Sequence, residues 1–130
     1  MIRKIDAAVL FVQDLEKCTV FYRDTLGLPV SFTDANSVAF RLEDQDFVLL
    51  KLAAAVDMIS EDAVPLQHGA GHRALLCVGV EDVNATYQAL TAKGVQFIKP
   101  PKDQTWGRCT AYLADPEGNL WEFWHALPST

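Results

Sequence analysis

The sequence has few of the residues that form covalent or metal cross-links: three cysteines and three histidines occur among 130 residues. Cys18, Cys77 and Cys109 are an odd number at spacings that match neither a disulfide framework nor a zinc site, so we interpret them as reduced packing thiols. A chain of this length that is 50% hydrophobic buries a core without cross-links. The composition therefore predicts a single domain, residues 1–130.

Long apolar segments and excess positive charge are also missing. No stretch approaches the roughly eighteen apolar residues of a membrane helix, and Met1–Ile5 does not begin a signal peptide. The formal net charge is −6, whereas a nucleic-acid-binding protein presents a basic face. We therefore expect no membrane and no nucleic acid as partners, and we predict a cytoplasmic protein. The acidity mildly favours a cationic ligand.

The sequence does contain a well-marked turn between two apolar runs. In Asp115–Asn119, which reads DPEGN, Pro116 presets φ to about −65° and Gly118 is free to take a positive φ. The following arm, Leu120–Trp124, carries one carboxylate, Glu122, among apolar residues. A buried Glu requires a cation, a hydrogen-bond donor or water. Glu122 is therefore the only candidate for a catalytic acid or base.

The chain also repeats one pattern of strand, helix and three strands. Asp14 and Asp82, which cap the two predicted helices, lie 68 residues apart, and Gly27 and Gly94, which end them, lie 67 apart. The modules cover about 1–52 and 72–126, and the linker 53–71 allows a short helix before Pro65. The predicted strands are 5–12, 29–32, 37–42, 47–52, 73–80, 95–98, 108–113 and 120–124, with a long loop at Pro100–Pro101. Each module leaves one sheet face uncovered, so an α+β fold of two paired β-α-β-β-β modules is expected.

Two motifs resemble the vicinal oxygen chelate superfamily, which includes glyoxalase I, bleomycin-resistance proteins, fosfomycin-resistance enzymes and extradiol dioxygenases. One is the DPEGN turn followed by the strand with Glu122; the other is the opening VQDLE with FYRD and LGL, within residues 12–28. The resemblance implies an eight-stranded incomplete barrel around a cup that holds the ligand. It also implies a homodimer, as do the uncapped cup and exposed strand edges.

The metal ligands that this resemblance implies are mostly missing. Seven residues before the two capping aspartates stand Ala7 and Leu75, which cannot bind metal, and residues 49–51 (LLK) offer no suitable donor in the fourth strand. Only Glu122 remains, whereas a catalytic divalent site needs about three protein ligands. We therefore predict that the protein binds no metal and no cofactor. By this resemblance it is closest in character to the metal-free bleomycin-resistance-like members.

The histidines do not replace those ligands. His72 lies three residues before Leu75 and would face the opposite side of the strand unless a bulge intervenes, so we interpret it as a strand-entry residue at the edge of the cup. His68, in the linker, and His125, after the last strand, are interpreted as surface residues.

Eight residues are candidates for contacting a ligand, because they supply flat aromatic surface or a polar group near the cup. They are Phe11, Phe40, His72, Trp106, Arg108, Tyr112, Glu122 and Trp124. Core packing is the alternative for the aromatic members. By the resemblance, Glu122 and Trp124 face inward and Trp121 and Phe123 face the helix side. Arg108 is then either the partner of Glu122, an anion-binding group or a surface arginine.

Three functions remain open from the sequence. The first is a metal-free protein that binds or sequesters an aromatic or amphipathic organic molecule, neutral or cationic. The second is a divalent-metal-dependent lyase, isomerase or dioxygenase, and Ala7 and Leu75 favour the first. The third is a metal-free enzyme with Glu122 as general base. The identity of the ligand is not encoded in any motif.

Overall fold

The computed structural model describes residues 3–64 and 74–129. The chain divides into two compact units, Met1–Ala70 and Gly71–Thr130. Each unit contains one four-stranded sheet and helical segments, so the fold is α+β, as predicted. Within the described ranges, no helix combines the length and the apolar character needed to span a membrane.

Both units follow one order of elements. The first contains β1 (Ala7–Val12), α1 (Leu15–Val20), β2 (Val30–Thr33), β3 (Ser37–Leu42), β4 (Gln45–Lys51) and α2 (Leu52–Met58). The second contains β5 (Leu75–Gly79), α3 (Val83–Ala92), β6 (Phe97–Asp103), β7 (Arg108–Ala114) and β8 (Leu120–Ala126). The strand orders are β1-β4-β3-β2 and β5-β8-β7-β6, and in each sheet the first pair is parallel and the others are antiparallel. The shared topology confirms the predicted repeat.

The two predicted capping aspartates begin their helices. The Asp14 carboxylate accepts the Lys17 N–H at 2.9 Å. The Asp82 carboxylate accepts the N–H groups of Asn84 at 2.9 Å and Ala85 at 3.2 Å. These bonds satisfy backbone donors that have no partner within the helix itself, which is why a short polar side chain is favoured at this position.

The end of the first helix differs from a regular α-helix. Phe21–Thr25 forms a π-helical turn, in which the Leu26 N–H donates to the Phe21 carbonyl at 2.9 Å. Tyr22 in this turn is fully buried, with its ring centroid 4.8 Å from that of Phe47 and 5.9 Å from that of Phe40. The widened turn thus lies over the aromatic core of the first unit.

Two connections depart from their predicted boundaries. The short helix that the sequence allowed in the linker is α2, which begins directly after β4, and its Ala55 is fully buried. The loop predicted at Pro100–Pro101 is wrong, because both prolines lie inside β6. β6 is an edge strand with irregular register on both sides of Lys99, so a missing proline N–H is tolerated there.

Candidate functional site

Strand alternation separates the two faces of the second sheet. Cys109 and Ala111 are buried with Val83 of α3 in one hydrophobic cluster. Phe123 lies on the same side, since its ring is 6.2 Å from that of Phe97, which contacts Tyr87 of α3. The alternate residues therefore occupy the opposite face, which we call the distal face. The distal residues of β7 and β8 are Arg108, Thr110, Tyr112, Ala114, Leu120, Glu122, Trp124 and Ala126.

The turn before β8 sets which distal residues become neighbours. Asp115 Oδ1 accepts the N–H groups of Glu117 at 2.8 Å and Asn119 at 2.9 Å, and Gly118 has φ 89°. This is the turn chemistry predicted from DPEGN. It aligns β7 and β8 so that Tyr112 lies opposite Glu122. On the other side of β8, parallel pairing brings Cys77 opposite Glu122, on the same face.

Glu122 is buried and hydrogen-bonded. Its residue exposure is 5%, and the Tyr112 hydroxyl donates to Glu122 Oε1 at 2.6 Å. Cys77 lies opposite Glu122 on β5, and the Glu122 charge helps to raise the pKa of its thiol. The Tyr112 hydroxyl is therefore the donor that meets the requirement for a partner predicted from the sequence.

A further hydrogen bond extends this arrangement along β7. The Gln104 side-chain amide donates to the Thr110 hydroxyl at 3.0 Å, and Thr110 is the neighbour of Tyr112 on the same face of β7. We call Gln104, Thr110, Tyr112, Glu122 and Cys77 the polar network. Its hydrogen bonds at 3.0 Å and 2.6 Å hold the side chains that form them in defined positions.

The polar network holds its donors in their protonated forms. The hydrogen bond to Glu122 is the main cause that raises the pKa of Tyr112, with burial adding to it. Burial is the main cause that raises the pKa of the Cys77 thiol, and the Glu122 charge adds to it. Both groups therefore act at neutral pH as hydrogen-bond donors rather than as anions.

Arg108 does not form an ion pair with Glu122, which removes one of the three roles that the sequence left open for it. The guanidinium carbon lies 3.7 Å from the centroid of the Trp124 ring, which is a cation–π contact. The cross-strand partner of Arg108 is Ala126, four residues along β8 from Glu122. The pairing register places Arg108 and Glu122 on one face, but Tyr112 occupies the position opposite Glu122.

The donors on the distal face do not fit a metal centre. Leu75 lies two residues before Cys77 on the same face of β5, and Cys77 and Glu122 form an adjacent pair of potential ligands. Across residues 3–64 and 74–129, no group of three or more His, Cys, Asp or Glu side chains is arranged to hold a metal ion. Two donors fall short of the three or four that a zinc site uses.

The remaining predicted ligand residues lie elsewhere. Phe11 is on β1, in the first unit, with 36% exposure. Phe40 is fully buried and stacks on Phe47 at 5.7 Å, so it offers no surface to a ligand and is a core residue. Trp106, in the turn between β6 and β7, is 56% exposed. His72 and His68 fall outside the described residues.

The contacts of four residues were not predicted from the sequence. Cys77 was interpreted as a packing thiol, and Thr110 and Gln104 carried no motif. The parallel register that places Cys77 against Glu122 follows from the repeat, so counting from Asp82 could have found it. His125 was interpreted as a surface residue, yet its Nδ1 accepts the Val83 N–H of α3 at 2.8 Å. No local signal announces that contact, because the two residues lie 42 positions apart.

Comparison with known proteins agrees with the fold and the motifs. Residues 4–123 match the family model described as the Glyoxalase/Bleomycin resistance protein/Dioxygenase superfamily. The chain is 34% identical over 122 residues to the uncharacterized protein YraH of Bacillus subtilis (strain 168), covering 91% of this chain and 94% of that protein.

Solved structures share the fold at lower identity. A glyoxalase/bleomycin resistance protein/dioxygenase from Nocardioides superposes with a TM-score of 0.85 at 22% identity, over 100% of this chain and 87% of that one. A lactoylglutathione lyase from Agrobacterium tumefaciens gives a TM-score of 0.75 at 23% identity, over 93% and 92% of the two chains. Identities at this level establish a common fold and leave the chemistry to be argued from the site.

Proposed function

Because the chain belongs to the Glyoxalase/Bleomycin resistance protein/Dioxygenase superfamily, we propose that it binds a small aromatic or amphipathic molecule on the distal face without a metal. The observation that carries this proposal is the buried Glu122, hydrogen-bonded to Tyr112 beside the Arg108–Trp124 stack. An indole supplies a large flat contact surface, and a few fixed polar groups orient a ligand on it.

The polar network favours binding over metal chemistry. Glu122 would be the metal ligand of this strand, but its Oε1 already accepts the Tyr112 hydroxyl at 2.6 Å. A metal ion would have to displace that bond and find further donors, where Leu75 offers none. The name of the lactoylglutathione lyase neighbour therefore does not transfer its reaction to this chain.

The metal-free state is tested by elemental analysis after purification without chelator. We expect well under one divalent ion per chain, because no group of three or more His, Cys, Asp or Glu side chains in residues 3–64 and 74–129 is arranged to hold a metal ion. A stoichiometric ion that EDTA removes, and that Glu122→Gln abolishes, would refute the metal-free proposal.

Ligand binding is tested by a fluorescence screen of aromatic and amphipathic compounds. Trp124→Phe should remove the signal change of bound compounds, whereas Trp106→Phe, a change in an exposed turn residue, should retain it if the distal face is the site. Glu122→Gln should weaken a ligand that contacts the carboxylate by more than about 1 kcal/mol, the scale of a hydrogen bond to a charged group. Glu16→Gln, on the exposed side of α1, is the matched control.

The opposite outcome of that screen is equally clear. If Trp124→Phe and Glu122→Gln changed the free energy of unfolding but never the affinity of any bound compound, these residues would be packing groups and the proposed site would be wrong.

We also propose that the protein works as a homodimer in the cytoplasm. The cysteines of the chain, Cys18, Cys77 and Cys109, are all free thiols, which supports a reducing compartment. Exposed apolar residues on strands, such as Val9 and Leu75, support burial against a second copy. Light scattering at high micromolar concentration should report a dimer mass, and a monomer would contradict the proposal.

A further inference from the structure

The distal face is locally basic although the chain carries a net charge of −6. Along the edge strand β6, Lys99 lies opposite Tyr112 and Lys102 lies opposite Thr110, so both belong to the distal side of the sheet. Arg108 is the third cation of this face. We call these residues the basic group. The same face also carries the Glu122 carboxylate, which already accepts a hydrogen bond from Tyr112.

The two charges at the centre of this face differ in how they are satisfied. Glu122 accepts a hydrogen bond from the Tyr112 hydroxyl at 2.6 Å. The Arg108 guanidinium is stacked on Trp124, and among the described residues it forms no ion pair with a carboxylate and no side-chain hydrogen bond. Its N–H groups therefore have no side-chain acceptor among the described residues and are available to a ligand.

The stack also prepares Arg108 for recognition. A guanidinium lying on an indole keeps the N–H groups at its edge available, because the contact uses the flat face of the cation. A group held in one plane loses less conformational entropy when it binds. The planar fork of an arginine matches the two oxygens of a carboxylate, which forms paired, charge-assisted hydrogen bonds with it.

We infer that the ligand of the distal face carries a carboxylate, held by Arg108 with support from Lys99 and Lys102, and an aromatic or apolar body next to Trp124. This inference rests on the proposed function and specifies its ligand class. It reverses the expectation of a cationic ligand that the net acidity of the chain suggested, because the distal face is locally basic and Glu122 already accepts the Tyr112 hydroxyl.

The test compares compounds that share a body and differ in charge. 3-Phenylpropanoate, 3-phenylpropan-1-ol and 3-phenylpropylammonium form one such triad, and 2-naphthoate, 2-naphthol and 2-naphthylmethylammonium form another. Isothermal titration should show each carboxylate binding at least about tenfold more tightly than its neutral analogue, the ratio that one charge-assisted hydrogen bond provides. The ammonium compounds should bind most weakly.

Variants then assign the preference to one residue. Arg108→Gln should bring the carboxylate to the affinity of the neutral compound, and Arg108→Lys, which keeps the charge but loses the planar fork, should retain part of the preference. Arg41→Gln is the matched control, because Arg41 is an exposed arginine in the first unit that pairs with Asp46 at 2.8 Å. Circular dichroism and melting temperature confirm that each variant is folded.

The outcomes separate the two proposals. Equal affinity within each triad, or a preference for the ammonium that Glu122→Gln removes, overturns the carboxylate assignment and leaves the binding function standing. A carboxylate preference that survives in Arg108→Gln also overturns it. No binding by any member of either triad at millimolar concentration overturns both the assignment and the proposed function.

Discussion

The two units of the chain share a backbone plan but differ in what they present on the face turned away from the first helix of each unit. In the first sheet, Val9 and Ala39 both lie opposite Val48. In the second sheet, Cys77 and Tyr112 both lie opposite Glu122. The same three positions are therefore occupied by apolar residues in one unit and, in the other, by a thiol next to a hydrogen-bonded tyrosine–glutamate pair.

The comparison shows which parts of the repeat are structural and which are chemical. The capping aspartates and the parallel strand pairs occur in both units because each sheet needs its helix started and its first strand held. The residues on the faces turned away from the helices neither start a helix nor hold the first strand, so they can differ between the two units. A candidate site is thus recognised where two equivalent positions carry different chemistry on one scaffold.

The largest expected effect distinguishes the core of the first unit from the face of its sheet that is turned away from α1. Phe40→Ala should lower the free energy of unfolding by about 4 kcal/mol, because the ring is fully buried between Tyr22 and Phe47 and leaves a cavity. Phe11→Ala, on the face of β1 turned away from α1, is the control and should cost less than half as much. Urea denaturation measures both, and equal losses would contradict the division of the first sheet into two faces.

The next effect compares two turns that use an aspartate in the same way. Asp115 and Asp34 each accept several hydrogen bonds from residues that follow them, but Asp115 is 5% exposed whereas Asp34 is exposed. Asp115→Ala should cost about 2 kcal/mol, because its buried donors lose their acceptor, and Asp34→Ala should cost about 0.5 kcal/mol, because water replaces it. Thermal melts of the two variants at one pH provide the measurement. A larger loss for Asp34→Ala would show that burial is not the deciding factor.

The capping aspartates test where the two units are equivalent. Asp14→Ala and Asp82→Ala should each cost about 1 kcal/mol, the usual value for losing a helix cap. Asp82 accepts two backbone N–H groups and Asp14 is seen to accept that of Lys17, so any difference should favour a larger loss at Asp82. Guanidinium titrations of both variants measure the two losses of unfolding free energy. A loss in only one of the variants would show that the two helix caps are not equivalent.

The smallest expected effect is a loss of folding stability at alkaline pH that arises from the polar network. Because Glu122 and burial raise the pKa values of Tyr112 and Cys77, the unfolded chain releases these protons first as pH rises. Their contribution is complete below the ordinary Cys value of 9.0 and is lost as pH rises through the raised values. Glu122→Gln should therefore flatten the decline of melting temperature above about pH 9.

Cys109 is an internal control for this prediction. Its pKa is also raised, by burial and by Asp103, but it lies on the helix side of the sheet. It should therefore contribute equally to the alkaline loss of stability in the unmodified protein and in Glu122→Gln. An unchanged slope in Glu122→Gln would mean that the carboxylate does not control the two donors.

Most of the fold was predictable because its signals are local. Alternating apolar residues marked the strands, Asp14 and Asp82 marked the helix starts, and the spacing of the repeat gave the topology. The errors came from context. Pro100–Pro101 breaks a central strand but not an edge strand, and the position of β6 at the edge is a property of the whole sheet.

The candidate site was less predictable, because partners are set by register rather than by residue type. Parity grouped Arg108 with Tyr112 and Glu122 with Trp124, but the pairing register was needed to show that both groups lie on one face. The register of the ladder decides whether Glu122 lies opposite Tyr112 or Arg108, which are four residues apart on β7, and only the assembled hairpin fixes that register. Aromatic character alone likewise did not separate Phe40 in the core from Trp124 on the distal face.

The parallel pairs at the edges of both sheets impose an order on the synthesis of the chain. β1 has a single neighbour, β4, so the first sheet has all its strands once Lys51 has left the ribosome. β5 also has a single neighbour, β8, and remains unpaired until residues 120–126 emerge. A nascent or prematurely terminated chain therefore contains a complete first sheet long before it contains Glu122, and its exposed β5 makes it a target for chaperones and proteases.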